Sequence, residues 1–116
     1  MVLVSVIVIV VTAVLNAVSA VVDFAGGRYV VGNAEANGVA REWLPVLGGL
    51  KAAGAVGLLG AVLGVPVIGA WAAAGLVLFF VGAVVVHVRA GTWSTIAAPG
   101  VFLALAAGSL WFTLTA

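Results

Sequence analysis

Residues 2–22 read VLVSVIVIVVTAVLNAVSAVV, a stretch without one charged side chain. Its most polar interior residue is Asn16. At about 1.5 Å of rise per residue, a helix of this length reaches about 30 Å, the thickness of a bilayer's hydrocarbon core. In that medium every backbone N–H and C=O must bond within the protein, which leaves α-helices and closed β-barrels. Barrel strands need segments of roughly ten residues with alternating polarity, whereas this run is apolar on every side. It therefore reads as a membrane-spanning helix. A secretory leader would carry a basic start and an apolar core of about 7–15 residues. The present run is longer and no basic residue precedes it, so a retained first helix is expected.

The rest of the chain repeats the pattern. Of its 116 residues, 66% are hydrophobic and 6% charged, against about 25% charged in soluble domains. Such a chain cannot coat a water-facing surface, and lipid must be its main solvent. Three further apolar runs occupy residues 44–63, 67–88 and 96–116. Pro45 and Pro99 fall in the first turns of two of them, where a missing N–H costs little. The turn Gly64-Val65-Pro66 is too short to leave the membrane interface, so the second and third runs form an antiparallel hairpin. The expected fold is all-α: one domain, an integral membrane bundle of four transmembrane helices. Residues 23–43 form a polar loop in which residues 34–43 are expected to make a short interfacial helix. Trp43, Trp93 and Tyr29 then fall at one interface, and Trp71 and Trp111 near the other, the levels that amphipathic rings prefer.

Several classes of function are disfavoured. A net charge of +1 without a basic run or stacking platform gives no reason to expect nucleic acid. The absence of cysteine removes disulfides, thiolate metal sites and dithiol relays. One histidine without a second, or an inward carboxylate, makes no metal site. Ser5, Ser19, Ser94 and Ser109 are scattered and share only one distant base, so no catalytic residues are assigned and an enzyme acting alone is not expected.

The charges are distributed unevenly. Asp23, Arg28, Glu35, Arg41 and Glu42 lie in the first loop and Arg89 follows the third helix, on the same side of a four-helix protein. Lys51 dips inward from that side by about 10 Å along its helix, to a depth similar to that of Asn16. An ionisable residue inside a membrane helix is a candidate functional residue. The candidate ligand pocket therefore comprises Asn16, Asp23, Lys51, His87 and Arg89, closed over by Glu35, Glu42 and Trp43. The simpler alternatives are a lysine that snorkels to the interface, paired with Glu42 or Asp23, a histidine bonded at a helix end, an Arg89 anchor and an interhelical Asn16 bond. Gly49, Ala53, Gly57 and Ala61 form a small-residue stripe for close helix approach, either inside the bundle or toward another copy or partner. The positive-inside rule puts both charged loops in the cytoplasm and both termini outside.

Residues 43–59, WLPVLGGLKAAGAVGLL, and 73–89, AAGLVLFFVGAVVVHVR, resemble the DoxX-like family of small four-helix membrane proteins. Gly48-x-x-Lys51-x-x-Gly54-Ala55-x-Gly57-Leu58 and His87-x-Arg89 carry the likeness, which covers residues 43–116. Many relatives have Glu at the position of Lys51, and Asp23-Phe24-Ala25-Gly26-Gly27 replaces the family's usual Gly-x-x-Lys-Leu after the first helix. Relatives often carry basic residues before that helix, which implies an inside N-terminus and leaves two orientations standing. The resemblance implies thiosulfate:quinone chemistry, anchoring of oxidative-stress enzymes, or chaperoning of membrane proteins. Three readings follow: a non-catalytic accessory or scaffold subunit, a quinone- or lipid-binding redox subunit with Phe79 and Phe80 along the tail, and a small transporter. Expected partners are membrane lipid and other subunits or a second copy, in a bacterial plasma membrane.

Overall fold

The structure, a computed structural model, describes residues 2–116. Its helices are α1 (Leu3–Ala25), α2 (Arg28–Ala36), α3 (Leu44–Val62), α4 (Pro66–Ala90) and α5 (Ala97–Leu114), with single 3₁₀ turns at Arg41–Trp43 and Trp93–Thr95. No strand occurs among the described residues. Four helices, α1, α3, α4 and α5, are long and apolar enough to cross a membrane. They pack in a closed ring, α1 on α3, α3 on α4, α4 on α5 and α5 on α1, with the α1–α5 seam the sparsest. The bundle measures 40 × 24 × 18 Å, long enough to pass through a core of about 30 Å. The spanning helices alternate in direction, so the ends of α1 and α4 meet the starts of α3 and α5 at one charged end.

The bundle carries polar groups within a largely apolar interior, and its outside is apolar. On α1 the buried residues include Ser5, Thr12, Asn16 and Asp23, while Val4, Ile7, Val11, Val14 and Val18 are exposed. Lipid tails are as apolar as leucine, so burying apolar area drives little helix association there; close packing and interhelical hydrogen bonds do that instead. The apolar core includes Ile9, Leu58, Ala73, Leu76, Phe80 and Ala106. Phe80 packs against Phe79 and Phe102 at centroid distances of 5.0 and 5.1 Å.

Glycines set the α3–α4 spacing. A methyl added at Gly57 would lie 2.5 Å from the Ala72 Cβ, and one at Gly69 would lie 2.4 Å from the Ala61 Cβ. At Gly54 it would meet Leu76 at 2.6 Å. The stripe Gly49, Ala53, Gly57, Ala61 is therefore split. Its second half faces α4, but Gly49 and Ala53 are exposed and nothing lies within 4 Å of a Cβ built at Gly49. A spacing of four drifts around a helix of 3.6 residues per turn, so one stripe cannot stay in one seam.

The region 23–43 differs from the expectation in two ways. Asp23 belongs to α1, which continues to Ala25 and ends at Gly26, whose φ of 62° and N–H to the Val22 carbonyl make a left-handed cap. The short helix lies earlier than residues 34–43: α2 starts at Arg28, directly after that cap. Gly38, at φ 74°, stops any helix from running on to Trp43.

Candidate functional site

Lys51 sits on α3 seven residues inside Leu44, facing the end of α1. Its Nζ donates to Asp23 Oδ2 at 2.9 Å and to Ser19 Oγ at 2.9 Å. It also lies 5.5 Å from the centroid of the Phe79 ring on α4, within the range at which an aromatic face attracts a cation. The two charged side chains are only 13% and 5% exposed. Placing one charge in a membrane helix is costly. Here the cost is offset by an opposite charge on the neighbouring helix, a hydroxyl and a ring face. Lys51 thus turns into the bundle and ties α1 to α3.

Asn16 is near that group in depth but spends its donor elsewhere. Its Nδ2 donates to the Thr12 carbonyl at 2.9 Å, and its Oδ1 is buried without a partner. Below it, Ser109 on α5 donates to Thr12 Oγ1 at 3.0 Å, and Thr12 donates to the Val8 carbonyl at 2.7 Å. Positions 12, 16, 19 and 23 recur every three or four residues and so share one helix face. This face carries a column of polar groups from the middle of α1 to its charged end.

His87 forms a second cluster. Its Nδ1 lies 2.7 Å from the Ala83 carbonyl, which can only accept, so that nitrogen carries the proton. Nε2 is then an acceptor, and it lies 3.4 Å from Asn37 Nδ2 beyond the end of α2. The same amide donates its other hydrogen to the Asn33 carbonyl at 2.8 Å, and Thr92 Oγ1 donates to Asn37 Oδ1. Every bond in the group is satisfied by a neutral imidazole.

The candidate residues therefore separate. Asp23 and Lys51 meet directly, His87 belongs to the α2–α4 cluster, and Asn16 bonds neither. Arg89, Glu35, Glu42 and Trp43 are exposed and join neither cluster by a hydrogen bond or ion pair among the described residues, so the latter three do not close over a pocket. Phe79 is half-buried, whereas Phe80 is a core residue rather than a tail-lining one. Ser19, Thr12, Ser109, Asn37 and Thr92 were not anticipated as partners. Helix periodicity connects Ser19 to Asp23 four residues on, but nothing local connects Asn37 to a histidine fifty residues away. No group of three His, Asp or Glu that could hold a metal occurs among the described residues.

The fold and its interior ion pair define a polytopic helical membrane protein with polar contacts buried inside its bundle. The chain belongs to the DoxX-like family, whose model matches residues 7–109. This match includes most of α1, which the motifs of residues 43–89 left outside the likeness. Comparisons with curated proteins and with solved structures find no match.

Proposed function

We propose that this protein is a non-catalytic accessory or scaffold subunit of a larger complex in a bacterial plasma membrane. The observation that carries this reading is that its interior ionisable groups bond within the chain. Lys51 is taken up by Asp23 and Ser19, and His87 by Ala83 and Asn37. These bonds account for the interior ionisable groups without a substrate. Small residues on the outer surface, including Gly49, Ala53, Gly75 and Gly82, leave room for a neighbouring helix to approach. The test is purification from native membranes in a gentle detergent, with mass spectrometry of what accompanies the chain. One or two stoichiometric membrane proteins are expected. A lone monomer or homo-oligomer in every preparation would overturn the reading.

A second reading, a quinone- or lipid-binding subunit, is favoured by one feature. Leu50, Gly54, Gly57, Trp71, Leu76 and Phe79 line an apolar groove of about 400 Å³ along the α3–α4 face. The groove reaches the Phe79 ring that Lys51 overlies. A tail in the groove would bring a polar head toward the charged end. Elongated density there in an experimental structure supports this reading; quinone-linked activity unchanged in Lys51→Ala counts against it.

A further inference from the structure

We infer that His87 is a proton-sensitive latch that holds α2 against the charged end of the bundle only while the imidazole is neutral. This rests on geometry and is independent of the proposed function. Helix α2 is weakly held otherwise. Within Arg28–Ala36 only Ala34 is buried, and its main packing partner is the short 3₁₀ turn at Arg41–Trp43. Asn37, which follows it directly, provides the long-range polar bonds: to His87 on α4 and from Thr92 beyond α4.

The hydrogen directions in this cluster permit one charge state. His87 Nδ1 donates to Ala83, so a second proton can go only to Nε2. That nitrogen faces the Asn37 NH₂ group. Protonation sets an N–H against a donor and removes the acceptor on which the contact depends. Turning the amide over does not restore the bond without loss. It would place Oδ1 where Nδ2 now lies, 2.8 Å from the Asn33 carbonyl oxygen, bringing two acceptors together. It would also take the Oδ1 acceptor away from the Thr92 hydroxyl. The cationic ring must therefore lose its tie to the α2 cap, break the local turn at Asn33, or move.

No charged side chain is bonded to the ring among the described residues. Arg28 and Glu35 on α2, Arg41 and Glu42 in the 3₁₀ turn and Arg89 on α4 are all exposed. Asp23 on α1 and Lys51 on α3 are bound to each other. Helix α5 and the turn Trp93–Thr95 carry no charged side chain. Imidazole is the side chain that ordinarily changes charge between about pH 5 and 8. Release of α2 would free a polar, tyrosine-bearing segment at the interface.

The chain has no cysteine, so E35C/S94C gives two labelling sites without background, on exposed residues of α2 and of the turn after α4. The same substitution removes the α2 carboxylate, so its titration cannot mimic that of His87. Spin-label distances are measured in liposomes at pH 8 and pH 5. The expected result is a narrow distribution at pH 8 and a longer, broader one at pH 5, reversible on returning to pH 8. His87→Gln keeps a neutral acceptor near the Nε2 position and is expected to hold the narrow distribution at both pH values. His87→Arg is expected to give the broad one at both. If His87→Gln fails to fold, as judged by helical circular dichroism and gel filtration, Asn37→Leu replaces it and is expected to be broad and pH-independent. A parent distribution that does not move with pH, a shift that survives in His87→Gln or in Asn37→Leu, or a narrow distribution in His87→Arg at pH 8 overturns the latch.

Discussion

Asp23 and Lys51 show how a charge is carried inside this membrane protein. Each is placed where the other can neutralise it, at 2.9 Å and largely away from solvent. A pair of this kind costs desolvation, and its net contribution to stability is small, but removing one partner leaves the other buried and uncompensated. Lys51→Met is therefore expected to destabilise the bundle by about 3–5 kcal/mol. The double variant Asp23→Leu/Lys51→Met is expected to recover most of that loss. Reversible unfolding in mixed micelles measures both. Equal destabilisation by the single and the double variant would show that the pair is not coupled. Lys51→Glu would set two carboxylates side by side and is expected to be worse than Lys51→Met.

At the scale of the element, α3 shares the most extensive seam of the ring with α1 and packs on α4 as well. Its contact with α4 is set by the absence of side chains, at Gly54 and Gly57 on one helix and Gly69 on the other. Gly69→Ala forces a methyl to within 2.4 Å of Ala61, and overpacking of this kind costs about 1–3 kcal/mol. Gly49→Ala is expected to be neutral or slightly stabilising, since no atom lies within 4 Å of the new carbon and alanine is the better helix former. Thermal melting of the two variants side by side checks this, and equal losses would refute the packing assignment. The contrast matters for function too. Gly49 and Ala53 are available to a neighbour, whereas Gly57 and Ala61 are already used within the chain.

The whole molecule is polarised along its length. Every charged side chain lies on, or reaches toward, the end where α1 and α4 finish, while the opposite end has the termini and the turn at residues 63–65. Both charged connections must then face the same compartment. Single variants Gly32→Cys and Ser94→Cys are expected to react with an impermeant maleimide from one side of sealed vesicles. Leu63→Cys and Thr115→Cys are expected to react from the other. Any other grouping would contradict the up-down arrangement of the four helices. The same experiment in oriented vesicles decides between the two orientations that the loop charges and the family likeness imply.

The spanning helices, their approximate limits and the one-sided charge were legible in the sequence, because lipid imposes a local rule: a run of about 20 apolar residues must satisfy its own backbone as a helix. The family likeness was legible for a similar reason, since Gly54, Gly57, Lys51 and His87 fall at fixed intervals along single helices. Which side chains meet was legible only in part: Asp23 was one of two partners expected for Lys51, whereas Ser19 and Asn37 were not foreseen. Depth along the membrane placed Asn16 beside Lys51, yet depth is one coordinate, and rotation about the helix axis turned Lys51 to Ser19 and Asp23 instead. Likewise, whether Asp23 was loop or helix depended on a left-handed Gly26 cap, and the partner of His87 depended on Gly38 ending α2 early enough to bring Asn37 to the end of α4. The sequence alone determined that the chain crosses the membrane, since that follows from the solvation of each segment by itself. Only the tertiary structure decided which polar groups neutralise one another, since that requires two helices to present particular faces at the same height.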